Sequence, residues 1–379
     1  MVVAENSRSK NKIRSMVMWI AAAILLCFVV AVCVILPPGP GKPKPFVDGN
    51  GNILEGSISE KIFVDVNGAS LGMFIMAKDR NKPVLLFLSG GPAIPEYLLE
   101  KDRPSGLANE FVVCYLAYRG TSLSYGPNTA AESMTIDQYM DDAIEVTNYL
   151  RNRFGQEKIY LFGHSFGSYV GINAVYRHPE LYHAYIAMSQ IANQNESELL
   201  AYNYMYEQYR AQGNAKMIKW FEETPVAGPE DLKKYFTSSE LRDTAMHDLG
   251  VGTTHDMRSV ISGIFFPSLR NTDYTPRERI NIWRGKFFSD QTPIKTAIFS
   301  FNAFDEIPEI DVPIYFFAGI YDYTVCYSVQ REYYEKIQAP LKAFYTFRNA
   351  AHSPLFEEPD KAMEIISQDI LTRQQTLAD

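Results

Sequence analysis

The sequence predicts an α/β domain, a mostly parallel sheet with helices on both faces, interrupted by a helical insertion and preceded by one membrane-spanning helix. Three observations carry this reading. Short continuous apolar runs, such as Pro83 to Leu88 and Phe111 to Leu116, alternate with helix-period stretches, the rhythm of strands buried on both faces. One such run, Ile159 to Phe162, breaks into Gly163-His164-Ser165-Phe166-Gly167 and at once into a helical pattern at Val170, Ile172 and Ala174. From Ile191 to Phe301 the rhythm stops, and Tyr202, Tyr206 and Tyr209 fall at helical spacing instead.

Taken in order, residues 1–15 carry Arg8, Lys10, Lys12 and Arg14 against Glu5, a basic tail. Met16 to Leu36 is 21 residues without a charge, and as helix it would match the ~30 Å of bilayer hydrocarbon. Pro37-Pro38 follows directly, where a cleavable signal would show a shorter apolar stretch and a small-x-small site. The expectation is therefore an uncleaved single-pass anchor at the cell membrane. The basic flank stays in the cytoplasm, which puts the rest of the chain on the extracytoplasmic side. Residues 37–45 mix Pro, Gly and Lys, a stiff spacer expected to hold the domain off the membrane.

The folded domain is expected at 46–190 and 302–379, with 191–301 as a helical cap. Ser57 to Val66 and Ser70 to Met76 flank Asn67-Gly68, a hairpin signal. Thr135-Ile136-Asp137-Gln138 reads as a capping box ahead of Tyr139, Ala143, Val146 and Leu150 at helical spacing. His183 to Met188, Val312 to Ala318 and Lys342 to Phe347 continue the sheet. The formal charge of −8, with no Lys/Arg-rich run in the body, argues against nucleic acid as a partner. Of the four cysteines, Cys27 and Cys33 lie in the uncharged run, while Cys114 and Cys326 follow strand patterns. They are too few for a disulfide scaffold, no His/Cys spacing resembles a zinc site, and neither metal nor cofactor is expected.

The chemistry gathers at strand ends. A turn as tight as Gly163 to Gly167 lifts Ser165 clear of the sheet, and the following helix N-terminus favours developing negative charge. A Gly-rich turn without chemistry is the competing reading. A serine hydroxyl needs a base, itself held by a third group. Asp322 follows one late strand and His352 the next, and in an open α/β sheet such ends converge on one edge. Asp305 and Asp311 are rival acids, but Asp311 precedes its strand and so sits at the wrong end. Oxyanion donors are expected from the N–H of Phe166 and from the Gly90-Gly91 loop.

With these residues in view, the chain from about Gly56 onward resembles an α/β hydrolase of the proline iminopeptidase type. Ser89-Gly90-Gly91-Pro92-Ala93 is similar to that family's His-Gly-Gly-Pro-Gly, which makes Gly91 the second oxyanion donor, and Ala117-Tyr118-Arg119-Gly120 resembles its Asp-Gln-Arg-Gly. Gly163 to Gly167, Asp322 and His352 match its triad positions. Ser89, Ala93, Ala117, Tyr118 and Phe166 depart from the family's usual residues, and all of these surround the substrate pocket. The resemblance implies a serine hydrolase acting on a small-molecule or short-peptide substrate, an aminoacyl amide above all, and the uncharged N-terminal run would anchor it to the membrane. Family members hold the substrate's amine with cap carboxylates, for which Glu196 and Glu198, and also Glu207, are available. A carboxylesterase and a non-catalytic binding module on the same fold are the alternatives.

Overall fold

In chain order the strands are β1 (Ile58–Val66), β2 (Ala69–Ala77), β3 (Val84–Leu88), β4 (Val112–Leu116), β5 (Ile159–His164), β6 (Tyr182–Met188), β7 (Ile314–Gly319) and β8 (Lys342–Phe347). They form one sheet ordered β1-β2-β4-β3-β5-β6-β7-β8. β2 runs antiparallel to both β1 and β4, and every other pairing is parallel. This is a computed structural model, and it describes residues 16, 18–20, 22, 34–126, 129–237 and 240–379.

The hairpin turns at Asn67 and Gly68, whose φ of 46° and 75° match the twist of the flanking strands. The central strands read as unbroken apolar runs because both faces are covered. β3 sends Leu86 and Leu88 into one core layer and Leu85 and Phe87 into the other, and β5 divides Ile159 and Leu161 from Tyr160 and Phe162 in the same way. The helix Ile136–Phe154 starts where Thr135 accepts the Gln138 N–H (3.3 Å) and stops at Gly155, with φ 65°. The reciprocal half of the expected capping box is not made. The Gln138 amide donates instead to Asp142 (3.0 Å), a carboxylate already fixed by both arms of the Arg119 guanidinium (2.9 and 2.8 Å).

Between β6 and β7 the chain leaves the sheet and forms helices that include Gln194–Gln212, Ala215–Glu223, Pro229–Thr237, Glu240–Asp248 and Pro276–Ser289. Tyr202, Tyr209 and Phe221 pack ring against ring there, so this region has a core of its own. The Pro/Gly segment before the domain departs from the expected free spacer. It lies along the helical region: the Arg279 guanidinium donates to the Pro37 carbonyl (2.7 Å), Gly41 N–H donates to the Thr272 carbonyl (3.1 Å), and Gly41 and Pro43 are buried. A proline- and glycine-rich strand exposes carbonyls that no partner in its own segment can satisfy, and a buried arginine supplies the donor. Among the described residues no helix is long and apolar enough to cross a membrane. The expected basic tail and most of the expected span, Met16 to Leu36, lie outside the described residues.

Candidate active site

Ser165 follows β5 directly, with φ 54° and ψ −120°, and opens the helix Phe166–Arg177. A non-glycine residue held there costs on the order of 1–3 kcal/mol. Two glycines make the turn possible by absence of side chain. A Cβ on Gly167 would stand 2.0 Å from the Leu88 carbonyl oxygen, and one on Gly163 would stand 2.7 Å from that of Gly167. Hydrogen bonds then lock the conformation, with Ser165 N–H on the Met188 carbonyl (3.1 Å) and the Ser168 N–H and hydroxyl on the Ser165 carbonyl (2.8 and 2.6 Å).

His352 lies past β8 and Asp322 past β7, and Nδ1 of the imidazole is 3.0 Å from both carboxylate oxygens. A carboxylate accepts only, so Nδ1 carries the proton and Nε2 the lone pair. Asp322 is buried, and it is fixed by the N–H groups of Thr324 (3.0 Å) and Val325 (2.9 Å) and by the Gln330 amide (3.3 Å). Burial pushes the His352 pKa below its ordinary value, Asp322 opposes this, and the neighbouring His164 reinforces it. The imidazole is thus neutral, the form a base requires, at pH 7. Ser165 and His352 line one cavity of about 280 Å³ beneath the helical region.

The wall of this cavity also holds a second imidazole–carboxylate pair. His164 Nδ1 meets Glu96, and His164 Nε2 lies 2.7 Å from the His352 carbonyl oxygen. Glu96 also accepts the Gly90 N–H (2.9 Å), and its own N–H donates to the Ser89 hydroxyl (3.2 Å). One buried pair therefore joins the Gly90-Gly91 loop, the residue before Ser165 and the loop carrying His352. Burial lowers the His164 pKa, but the Glu96 carboxylate outweighs it and the net shift is upward. The Gly90-Gly91 loop abuts the serine, since a Cβ on Gly90 would lie 3.1 Å from the Ser165 Cβ. Gly91, with φ 104°, and Phe166 line the cavity beside Ser165. The Phe166 N–H falls in the first helical turn, where no intrahelical acceptor exists.

Two of the positions that depart from the family pattern explain each other. Tyr118 stacks on Tyr139 (4.9 Å between centroids, 8° between planes), and Phe166 meets the edge of both rings. The expected amine-binding carboxylates are placed elsewhere. Glu196 is exposed and lies outside the cavity lining. Glu198 is fully buried, and Arg242 engages both of its oxygens (2.7 and 2.5 Å), so its charge is already neutralised. Glu207 is exposed and pairs with Arg210 (3.0 Å). Of the rival acids, Asp311 is exposed ahead of β7, and Asp305 is exposed with Asn302 donating to it (2.5 Å). The carboxylates that do line the cavity are Glu96, Asp102, Asp243 and Asp290. Glu96 escaped the sequence reading because its partner His164 is distant along the chain, and Gln330 because nothing local marks a helical glutamine as a partner of Asp322. His164 stood inside the pentapeptide, but its role is legible only once Glu96 is beside it.

Residues 83–359 match a family model described as the alpha/beta hydrolase fold. The chain is 31% identical over 287 residues to "Probable aminopeptidase YbaC" of Bacillus subtilis (strain 168), covering 76% of this chain and 88% of that protein. Among solved structures it is similar to a proline iminopeptidase of Mycobacterium smegmatis, with a TM-score of 0.61 at 15% identity over 83% of this chain and 98% of that one. It is also similar to a proline iminopeptidase-related protein of Thermus thermophilus, with a TM-score of 0.56 at 18% identity over 82% and 97%. A point mutant of an epoxide hydrolase from Bacillus megaterium aligns with a TM-score of 0.50 at 19% identity over 82% and 100%. At these identities the structural likenesses show a shared fold.

Proposed function

Because the chain belongs to the α/β-hydrolase fold family and is a hydrolase, we propose that it is a serine hydrolase that removes the N-terminal residue of short peptides or aminoacyl amides. One observation carries this reading: His352 is held through Nδ1 by Asp322 and faces the same cavity as Ser165. In the proposed reaction the Ser165 hydroxyl attacks the scissile carbonyl and its proton passes to His352 Nε2. The oxyanion meets the N–H groups of Phe166 and Gly91. The C–N bond then breaks, the leaving amine takes the proton from His352, and water activated by the same imidazole hydrolyses the acyl-enzyme.

The cavity volume of about 280 Å³, just below the usual ~300–1,000 Å³ for ligand sites, supports a small or chain-end substrate. The aminopeptidase name of the Bacillus subtilis relative supports the amide. Asp102 and Asp243 line the cavity and take the place of Glu196 and Glu198 as candidate partners for the substrate ammonium. A carboxylesterase is the second reading, favoured by the withdrawal of those two glutamates from the cavity. The test compares alanine and proline p-nitroanilides with their N-acetylated forms and with p-nitrophenyl acetate. Turnover lost on acetylation is expected, whereas indifference to acetylation with fast ester cleavage would make the protein an esterase.

We further propose that Met16 to Leu36 anchors the protein in the cell membrane with the catalytic domain outside. The uncharged run and the basic residues ahead of it support this, as does the exposure of Met16, Met18, Trp19, Ile20 and Val34, with Trp19 at 74%. Protease added to intact cells is expected to release an active fragment, and protection of the domain until lysis would reverse the orientation.

A further inference from the structure

The wall of the cavity formed by the helix Pro276–Ser289, the turn after it and the short 3-10 helix Pro293–Phe299 carries unbalanced charge. Lys286, Asp290 and Lys295 all line the cavity. Lys286 donates to both oxygens of Asp290 (2.5 Å each), which uses that carboxylate's charge. Lys295 stands 3.6 Å from the same carboxylate, its side chain 17% exposed, and its ammonium makes no hydrogen bond among the described residues. Two ammonium groups thus share one carboxylate, and the second keeps three donors unused in a half-buried setting. The other charges of the cavity do not cancel it. Arg242 is balanced by Glu198, with Asp243 on its other arm (3.2 Å), and His164 by Glu96, while Asp102, which forms no ion pair or hydrogen bond among the described residues, lines the same cavity. This wall therefore presents one spare positive charge, and Asp102 and Asp243 supply negative charge elsewhere in the lining, the complement of a zwitterion.

We propose that Lys295, with Lys286 beside it, binds a carboxylate of the substrate, either the free C-terminus of a dipeptide or an acidic side chain. This rests on the peptidase reading above and narrows its substrate class to short peptides that carry a negative charge near the scissile bond. A partly buried ammonium without hydrogen-bond acceptors is costly, and a carboxylate supplies both charge and acceptors.

The experiment measures kcat/KM of the full-length protein for Ala-Ala, Ala-Ala-NH2 and Glu-Ala-NH2. A charged substrate is expected to be preferred over Ala-Ala-NH2 by about tenfold, the scale of one hydrogen bond to a charged group. Preference for Ala-Ala identifies the C-terminus as the carboxylate, and preference for Glu-Ala-NH2 identifies a side chain. In Lys295→Met the preference falls to about onefold, and in Lys295→Arg it is kept. The ratio of two substrates on one preparation does not depend on the fraction of protein that folds. Equal turnover of all three by the wild type, or a preference that survives Lys295→Met, overturns the inference and leaves the peptidase reading standing. If none of the three is cleaved by protein that turns over p-nitrophenyl acetate, both fail.

Discussion

Replacing Glu96 by Gln removes one charge from the buried pair in the wall of the active site while keeping an oxygen for the Gly90 N–H. The His164 imidazole then sits in a buried place without its counter-ion. Breaking a buried ion pair from one side costs about 3–5 kcal/mol, but histidine can shed its proton, so the cost depends on pH. In the wild type the His164 pKa is raised in the folded state. Its contribution to stability is therefore fully present below the unfolded value of about 6.5 and is lost as pH rises through the folded value. In Glu96→Gln burial is opposed only by the His352 carbonyl and the more distant Asp322, so charging the imidazole opposes folding at low pH. At about 2 °C per kcal/mol for a large domain, the variant should melt roughly 6–10 °C below the wild type at pH 6. As pH rises through the folded-state value the gap should shrink toward ~2 °C, the difference of one neutral hydrogen bond. Differential scanning calorimetry of both proteins from pH 6 to pH 9 reads this gap. A gap that stays constant, or widens as pH rises, would refute the charged His164–Glu96 pair.

The remaining predictions concern the catalytic loops. In the wild type kcat/KM should fall on the acid side through a pKa below the ordinary 6.5 of histidine, because the proposed base His352 must be neutral to act and burial depresses its pKa. His164→Gln removes a cation that holds that value down and leaves Glu96 unpaired, so the acid limb should move to higher pH, which a pH–rate profile on one chromogenic substrate measures. Gly167→Ala drives a Cβ to within 2.0 Å of the Leu88 carbonyl. It should cost on the order of 3 kcal/mol or more and displace the adjoining Gly90-Gly91 loop, visible as a lower Tm and lost turnover. Asp322→Asn should retain the fold but lower kcat by ~10⁴, since the imidazole loses the acceptor that sets its tautomer.

The order of elements was legible because each central strand buries both faces, so that its apolar run stands out from the helical stretches on either side. Ser165, Asp322 and His352 were legible for a related reason. Each follows a strand closely, and strand ends converge in this architecture. Contacts between distant parts of the chain left no local mark. Glu96 looks like any charged residue ahead of the short helix Tyr97–Asp102, and only the folded chain brings it onto His164. Glu198 looked available to a substrate because nothing near it in sequence announces Arg242, which is 44 residues away. The Pro/Gly segment read as a free spacer because its composition describes its stiffness, while its docking depends on Arg279 and Thr272, far along the chain.

The central claim is that Ser165 forms a covalent intermediate with His352 as its base. A fluorophosphonate probe incubated with the full-length protein, followed by peptide mass mapping, tests it most directly. The claim predicts a single adduct on the peptide containing Ser165, none on Ser165→Ala, and much slower labelling of His352→Ala. Equal labelling of Ser165→Ala, or an adduct at another residue, would contradict it.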